Sequence, residues 1–163
     1  MKLSFEVART VDQVASEFVH HMFPSFRMPC FLACPDDLHA QAVMAAIAQA
    51  AVAKGAATEV IELRPAPAEL LDGVTQRLCG FEGRRDQKQA PPVRVLALEG
   101  FDLLEGPGND GPTYPFRSRF QFDEDFRWLF LGRDWHRLRR LFGSYRHPLY
   151  HAASDITPPP WRV

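Results

Sequence analysis

Apolar positions change period twice near the start of the chain, and each change marks an element. Val11, Val14, Phe18 and Met22 recur three to four apart and predict a helix over 10–22. Thr10 and Gln13 could form its capping box, and Pro24 and Pro29 stop it. The run CFLAC at 30–34 is continuously apolar and reads as a short strand. Residues 36–54 return to helical spacing, rich in alanine, with Asp36 or Asp37 as N-cap and Gly55 as the stop. Further strands are predicted at 58–63 (TEVIEL), 93–98 (VRVLAL) and 128–131 (WLFL). A helix is expected over 67–79, a polar linker over 83–92, and a helical turn starting at 122–125. Three glycines and three prolines make 105–115 an irregular loop. A short helix over 135–142 ends at Gly143.

Strands alternating with helices imply an α/β fold: a mainly parallel sheet with helices on both faces. Ligands of such sheets sit beyond the carboxyl ends of the strands. That edge would carry Cys34–His39, Glu99–Asp102 and Gly132–Trp135. The length of 163 residues suits a single domain, here 1–163, with a lead-in over 1–29, an α/β core over 30–150 and a proline-rich tail over 151–163. An apolar content of 46% sets the chain apart from disordered sequences. A formal net charge of -1 gives no overall polyelectrolyte signal for nucleic acid or membrane. The N-terminal residues contain no continuous apolar stretch of signal-peptide type, and no apolar run is long enough to span a bilayer. Cys30, Cys34 and Cys79 form no paired framework, so a reducing cytoplasm is the expected compartment.

The order strand, tight loop, long helix at 30–55 is the layout that opens a P-loop domain. Two other segments extend the likeness. VRVLALEGFDLLEG at 93–106 looks like a Walker B strand with its helix entry, and WLFLGRDWHRLRRLFGSYRHPLY at 128–150 has a strand, a glycine, a leucine-containing helix and a Pro-Leu-Tyr turn. Ile156-Thr157-Pro158-Pro159 matches the start of a next strand. In this order the segments resemble the AAA-like ATPase domains of archaeal-type and STAND-type P-loop NTPases. The resemblance implies a P-loop NTPase-like fold over roughly 30–160.

The chemistry-bearing positions of that family are altered. Where G-x-x-x-x-G-K-[ST] would stand, this chain has Cys34, Pro35, Asp36, Asp37, Leu38, His39, Ala40 and Gln41. Glycines let backbone N–H groups approach phosphate, the lysine neutralises it, and the hydroxyl holds Mg²⁺. None of these residues is present. At the Walker B positions stand Glu99 and Gly100, with Asp102 beyond, and the polar position after the fourth strand is Arg133. The resemblance therefore implies a degenerate, non-catalytic pseudo-ATPase with no catalytic residue, no resident cofactor and no metal, acting on a protein partner.

Other groupings point elsewhere. Cys30, Cys34 and His39 are zinc-ligand types, but Cys30 and Cys34 stand four apart on one strand face, too far for one ion. Asp36, Asp37, His39, Glu99 and Asp102 could converge at the sheet edge and support metal-assisted hydrolysis, against a plainer role in helix capping. Residues 133–147 hold Arg133, Arg137, Arg139, Arg140 and Arg146 against one acid, Asp134, a local net of +4, with Trp135, His136, Tyr145 and His147 interleaved. That composition suits nucleic acid or an acidic protein. Phe116, Phe120, Phe122, Phe126, Trp128 and Phe130 are expected in the core, against an exposed protein-binding surface as the alternative, and Trp161 is a candidate for docking that could equally pack back onto the sheet. The main expectation is an interaction module; the metal-assisted hydrolase and the nucleic-acid-associated regulator are the alternatives.

Overall fold

The computed structural model of the protein describes residues 4–23, 28–62, 93–108, 110–121 and 126–163. The helix expected over 67–79, the linker over 83–92, the turn at 122–125, Phe122 and Cys79 lie outside them. Helix α1 (Phe5–Met22) starts earlier than the apolar period suggests, because the Ser4 hydroxyl accepts the Val7 N–H at 3.4 Å. Thr10 is not a cap: its hydroxyl donates to the Glu6 carbonyl inside the helix. Strand β1 (Cys30–Ala33) is followed by α2 (Asp37–Ala53), capped by Asp36 and ended at Gly55, whose φ of 74° suits glycine. Then come β2 (Ala56–Glu62), β3 (Val93–Glu99), a 3-10 turn (Phe101–Leu104), α3 (Asp110–Gln121), β4 (Phe126–Gly132), α4 (Trp135–Gly143), β5 (Ser154–Asp155) and a second 3-10 turn (Pro159–Trp161).

The five strands form one parallel sheet in the order β2-β3-β4-β1-β5. From β1 the chain crosses to the far edge, returns through β3 and β4 to β1, and finishes on the other side of β1 as β5. This makes β1 the switch point of the topology, and its four residues are all buried. Alternation along the strands divides the core. Cys30, Leu32, Val95, Ala97, Leu129 and Leu131 pack with α1 and α2. Phe31, Leu96, Leu98, Trp128 and Phe130 face the other way, onto the first 3-10 turn, α3 and α4. Helices thus cover both faces of a parallel sheet, as the alternating pattern implies.

The loop expected over 105–115 is a correction: α3 begins at Asp110. Pro112 lies in its first turn, where a missing N–H leaves no bond unmade. Phe116 and Phe120, one turn apart, then drive the segment onto the sheet, where both are buried against Trp128 and Phe130. Tertiary burial outweighs the local glycine and proline signal. Phe126, Trp128 and Phe130 are also core, as expected. Of the two readings of Trp161 it is the packed one that holds: the residue is 6% exposed and sits in the α1–α2 side of the core instead of standing out for docking.

Candidate functional site

The turn from β1 to α2 consists of Cys34, Pro35 and Asp36 alone. The Cys34 N–H continues the sheet ladder by donating to the Gly132 carbonyl at 2.9 Å. Asp36 is extended, and its Oδ1 accepts from the His39 backbone N–H at 2.9 Å and lies 2.7 Å from His39 Nδ1. The His39 N–H first, and the imidazole second, hold the Asp36 carboxyl below its ordinary range. His39 in turn meets the edge of Trp161, with ring centroids 5.4 Å apart. Asp37, Leu38, His39, Ala40 and Gln41 are already inside α2. A phosphate would need the N–H groups of this helix end, and Asp36 already engages one of them.

Beside this turn lies a crevice of about 390 Å³ lined by Asp37, Ala40, Gln41, Glu99, Gly100 and Arg133. Arg133 crosses it to Asp37, with Nη2 2.7 Å and Nε 3.2 Å from the same oxygen. Its enclosed Nη1 makes no hydrogen bond. Gly100 turns the chain with φ 70° into the 3-10 turn. Asp102 is not among the residues that line the crevice: it is 6% exposed and its Oδ2 accepts the Asp134 N–H at 3.2 Å. Among the described residues, no three of His, Cys, Asp and Glu are gathered as a metal-binding group. Cys30 and Cys34 are free, buried thiols. Burial pushes both up to about 12, with Glu17 adding at Cys30. At Cys34, Arg133 pulls the other way, while Glu99 and Asp36 add to the rise.

The arginines of 133–147 are divided by the fold. Asp134 caps α4 through the Arg137 N–H at 3.0 Å. Arg137 donates to the Glu105 carbonyl at 2.6 Å and lies 3.3 Å from its carboxylate. Arg140 reaches both oxygens of that carboxylate, at 3.1 and 3.3 Å. Glu105 is held below its usual range by Arg140 first and Arg137 second, and Arg140 is raised in turn. Arg139 lies over the Trp135 ring at 5.1 Å and Arg162 over the same ring at 5.8 Å. The Trp135 Nε1–H donates to Asp155 Oδ2 at 2.9 Å. His136 is exposed beside Trp135, and Arg146 lies over Tyr145 at 5.4 Å. Glu105, Asp155, Thr157 and Trp161 join these groups without any local motif. They arrive by tertiary contact from loop and tail.

A strand, a turn and a helix N-terminus at the switch point of a parallel α/β sheet is the layout in which P-loop proteins hold phosphate. No family model matches the chain, and no curated protein matches it. Among solved structures, that of the Aeropyrum pernix Orc1 protein in complex with DNA is similar, with 14% sequence identity, 94% of this chain covered and a TM-score of 0.49. This chain spans 44% of that chain. Among the described residues, no helix is long and apolar enough to cross a membrane.

Proposed function

We propose that this chain is a non-catalytic, ATPase-like domain that acts by binding a protein partner instead of turning over nucleotide. The observation that carries the reading is the closed N-terminal end of α2. A three-residue turn leaves no loop to wrap a phosphate, and Asp36 takes the backbone donor such a group would use. Asp37 and Glu99 add negative charge to the crevice wall, and among the described residues the one cation lining it, Arg133, is engaged by Asp37. A triphosphate would have to displace that ion pair and approach two carboxylates that, among the described residues, no lysine of the crevice wall offsets.

The alternatives draw less support. Metal-assisted hydrolysis needs converging ligands, whereas Asp36, Asp37 and Asp102 each face a different partner. Nucleic-acid binding needs free cations, and three of the five arginines in 133–147 are tied to carboxylates. The free thiols Cys30 and Cys34 suit a reducing compartment such as the cytoplasm.

Titration calorimetry with Mg·ATP, with phosphate release followed in the same sample, tests the reading. The expected outcome is no heat beyond dilution and no turnover above the blank. A saturable isotherm, or turnover, overturns it.

A further inference from the structure

We infer that the exposed side of α4 and the turn after it form a docking surface for an acidic segment of a partner protein. The inference rests on the reading of this chain as an interaction module and names where the partner binds and what chemistry it brings. On α4, His136, Arg139, Arg140 and Gly143 fall at i, i+3, i+4 and i+7 and are all exposed, while Leu138, Leu141 and Phe142 are buried. Tyr145, 72% exposed, and Arg146 extend the strip beyond the helix end.

Folding sorts the charges of this strip. Arg133 is paired with Asp37 at the surface and Arg137 with the half-buried Glu105, and Arg140 shares the Glu105 carboxylate. Among the described residues, Arg139 and Arg146 pair with no carboxylate. Each lies over an aromatic ring, Trp135 and Tyr145 respectively, and Arg146 Nε also donates to the Tyr145 hydroxyl at 3.0 Å. A guanidinium held over a ring keeps its outward N–H donors and has less side-chain freedom to lose when it meets a carboxylate. Next to Arg146 is a hollow of about 320 Å³ lined by Glu105, Gly106, Pro107, Arg140, Ser144 and Arg146, large enough to receive a side chain. Arginine with tyrosine and tryptophan is the composition of the energetically dominant part of protein interfaces.

The same features argue against a nucleic-acid strand. Asp37 and Glu105 reduce the local net charge of the segment from +4 to +2 once they fold against it. Affinity for nucleic acid grows with the number of phosphates neutralised, and the two arginines of this segment that pair with no carboxylate among the described residues neutralise few. Trp135, the ring best suited to stack a base, is half-buried beneath Arg139 and Arg162. Arg139 on the exposed face of α4 and Arg146 at the rim of the hollow match a short peptide carrying two or more carboxylates.

The test is selection of a random-peptide display library on the immobilised full chain, then fluorescence anisotropy of the enriched peptides. Enrichment of Asp- and Glu-containing peptides is expected, with binding weakened about tenfold or more in R139E/R146E and by less in R139K/R146K, which keeps charge but loses the planar fork. Circular dichroism of each variant, matched to the parent, keeps a folding defect from passing as a binding defect. No enrichment, enrichment of neutral or basic peptides, or acidic peptides that bind R139E/R146E as well as the parent overturns the inference. Tighter binding of a labelled single-stranded oligonucleotide than of the acidic peptides overturns it in favour of nucleic acid. Mg·ATP titrated into the same preparation separates the two readings. Nucleotide binding would remove the closed-site reading alone, and absence of peptide binding would remove the surface alone.

Discussion

Gly132 ends β4 without a side chain because Asp102 stands where a Cβ would go, with Oδ1 2.6 Å from that position. Asp102 cannot retreat cheaply, since it is buried and accepts the Asp134 N–H that starts the turn into α4. Gly132→Ala should therefore destabilise the protein by about 1–3 kcal/mol, the usual range for overpacking a filled site. Urea unfolding of G132A, D102A and the double variant checks it: coupling between the two sites is expected, and strict additivity would refute the contact. Glu105 gives a prediction in pH. Its carboxyl titrates below its ordinary value because Arg140 and Arg137 favour the anion. A group depressed in this way contributes stability above its unfolded pKa of about 4.3 and loses it as the pH falls through the lower folded value. Glu105→Gln should flatten the stability–pH curve below about pH 4.3 and leave its slope above that unchanged, as followed by urea midpoints across the acid range. At this scale the sequence discloses local devices only. Asp36 as a cap is readable because the cap and its N–H lie three residues apart. The Asp102–Gly132 contact and the Glu105 pairs join residues about thirty apart in the chain, and no spacing rule reaches them.

The elements with strong period or β-branched runs, α2 and β3, stand within a residue or two of where the apolar pattern puts them. Others moved for physical reasons. Helix α1 gains turns from the Ser4 cap, and β4 extends back to Phe126 because its residues are buried on both faces. Helix α3 is the clearest case of tertiary contact overriding composition. Its anchor is Phe116, which meets Phe101, Phe120, Trp128 and Phe130 with ring centroids 5.2–6.3 Å apart. Phe116→Ala should cost about 3–5 kcal/mol, a large share of the 5–15 kcal/mol that holds an ordinary domain. Hydrogen exchange on the folded fraction should show α3 losing protection before the β3–β4 ladder. Equal loss across both would mean that α3 is not the weaker unit. If the segment were instead the irregular loop its glycines and prolines suggest, the substitution would cost under 1 kcal/mol.

For the whole molecule, alternation of strands and helices points to the layered parallel sheet, but not to the segment that closes it. The tail looks separable by composition, with three consecutive prolines before Trp161. It is instead stitched to β1, the switch-point strand. Ile156 donates to the Phe31 carbonyl at 3.0 Å, and the buried Thr157 hydroxyl accepts the Ala33 N–H at 3.0 Å where β1 ends. The Trp161 N–H then bonds the Pro158 carbonyl and brings the indole against His39 and the α1–α2 core. The prolines favour this docking because they fix the backbone in advance, so less chain entropy is lost when the tail settles. Because His39 is also the partner of Asp36, the tail buttresses the same helix end that the closed-site reading depends on. Trp161→Ala should then do two things at once. It should lower stability by about 3–5 kcal/mol, as expected for a buried tryptophan. It should also loosen the first turn of α2, seen as faster hydrogen exchange at the His39 amide than at the Ile47 amide in mid-helix. A uniform rise in exchange at both amides would show that the tail supports the core globally, with no particular hold on the α2 N-terminus.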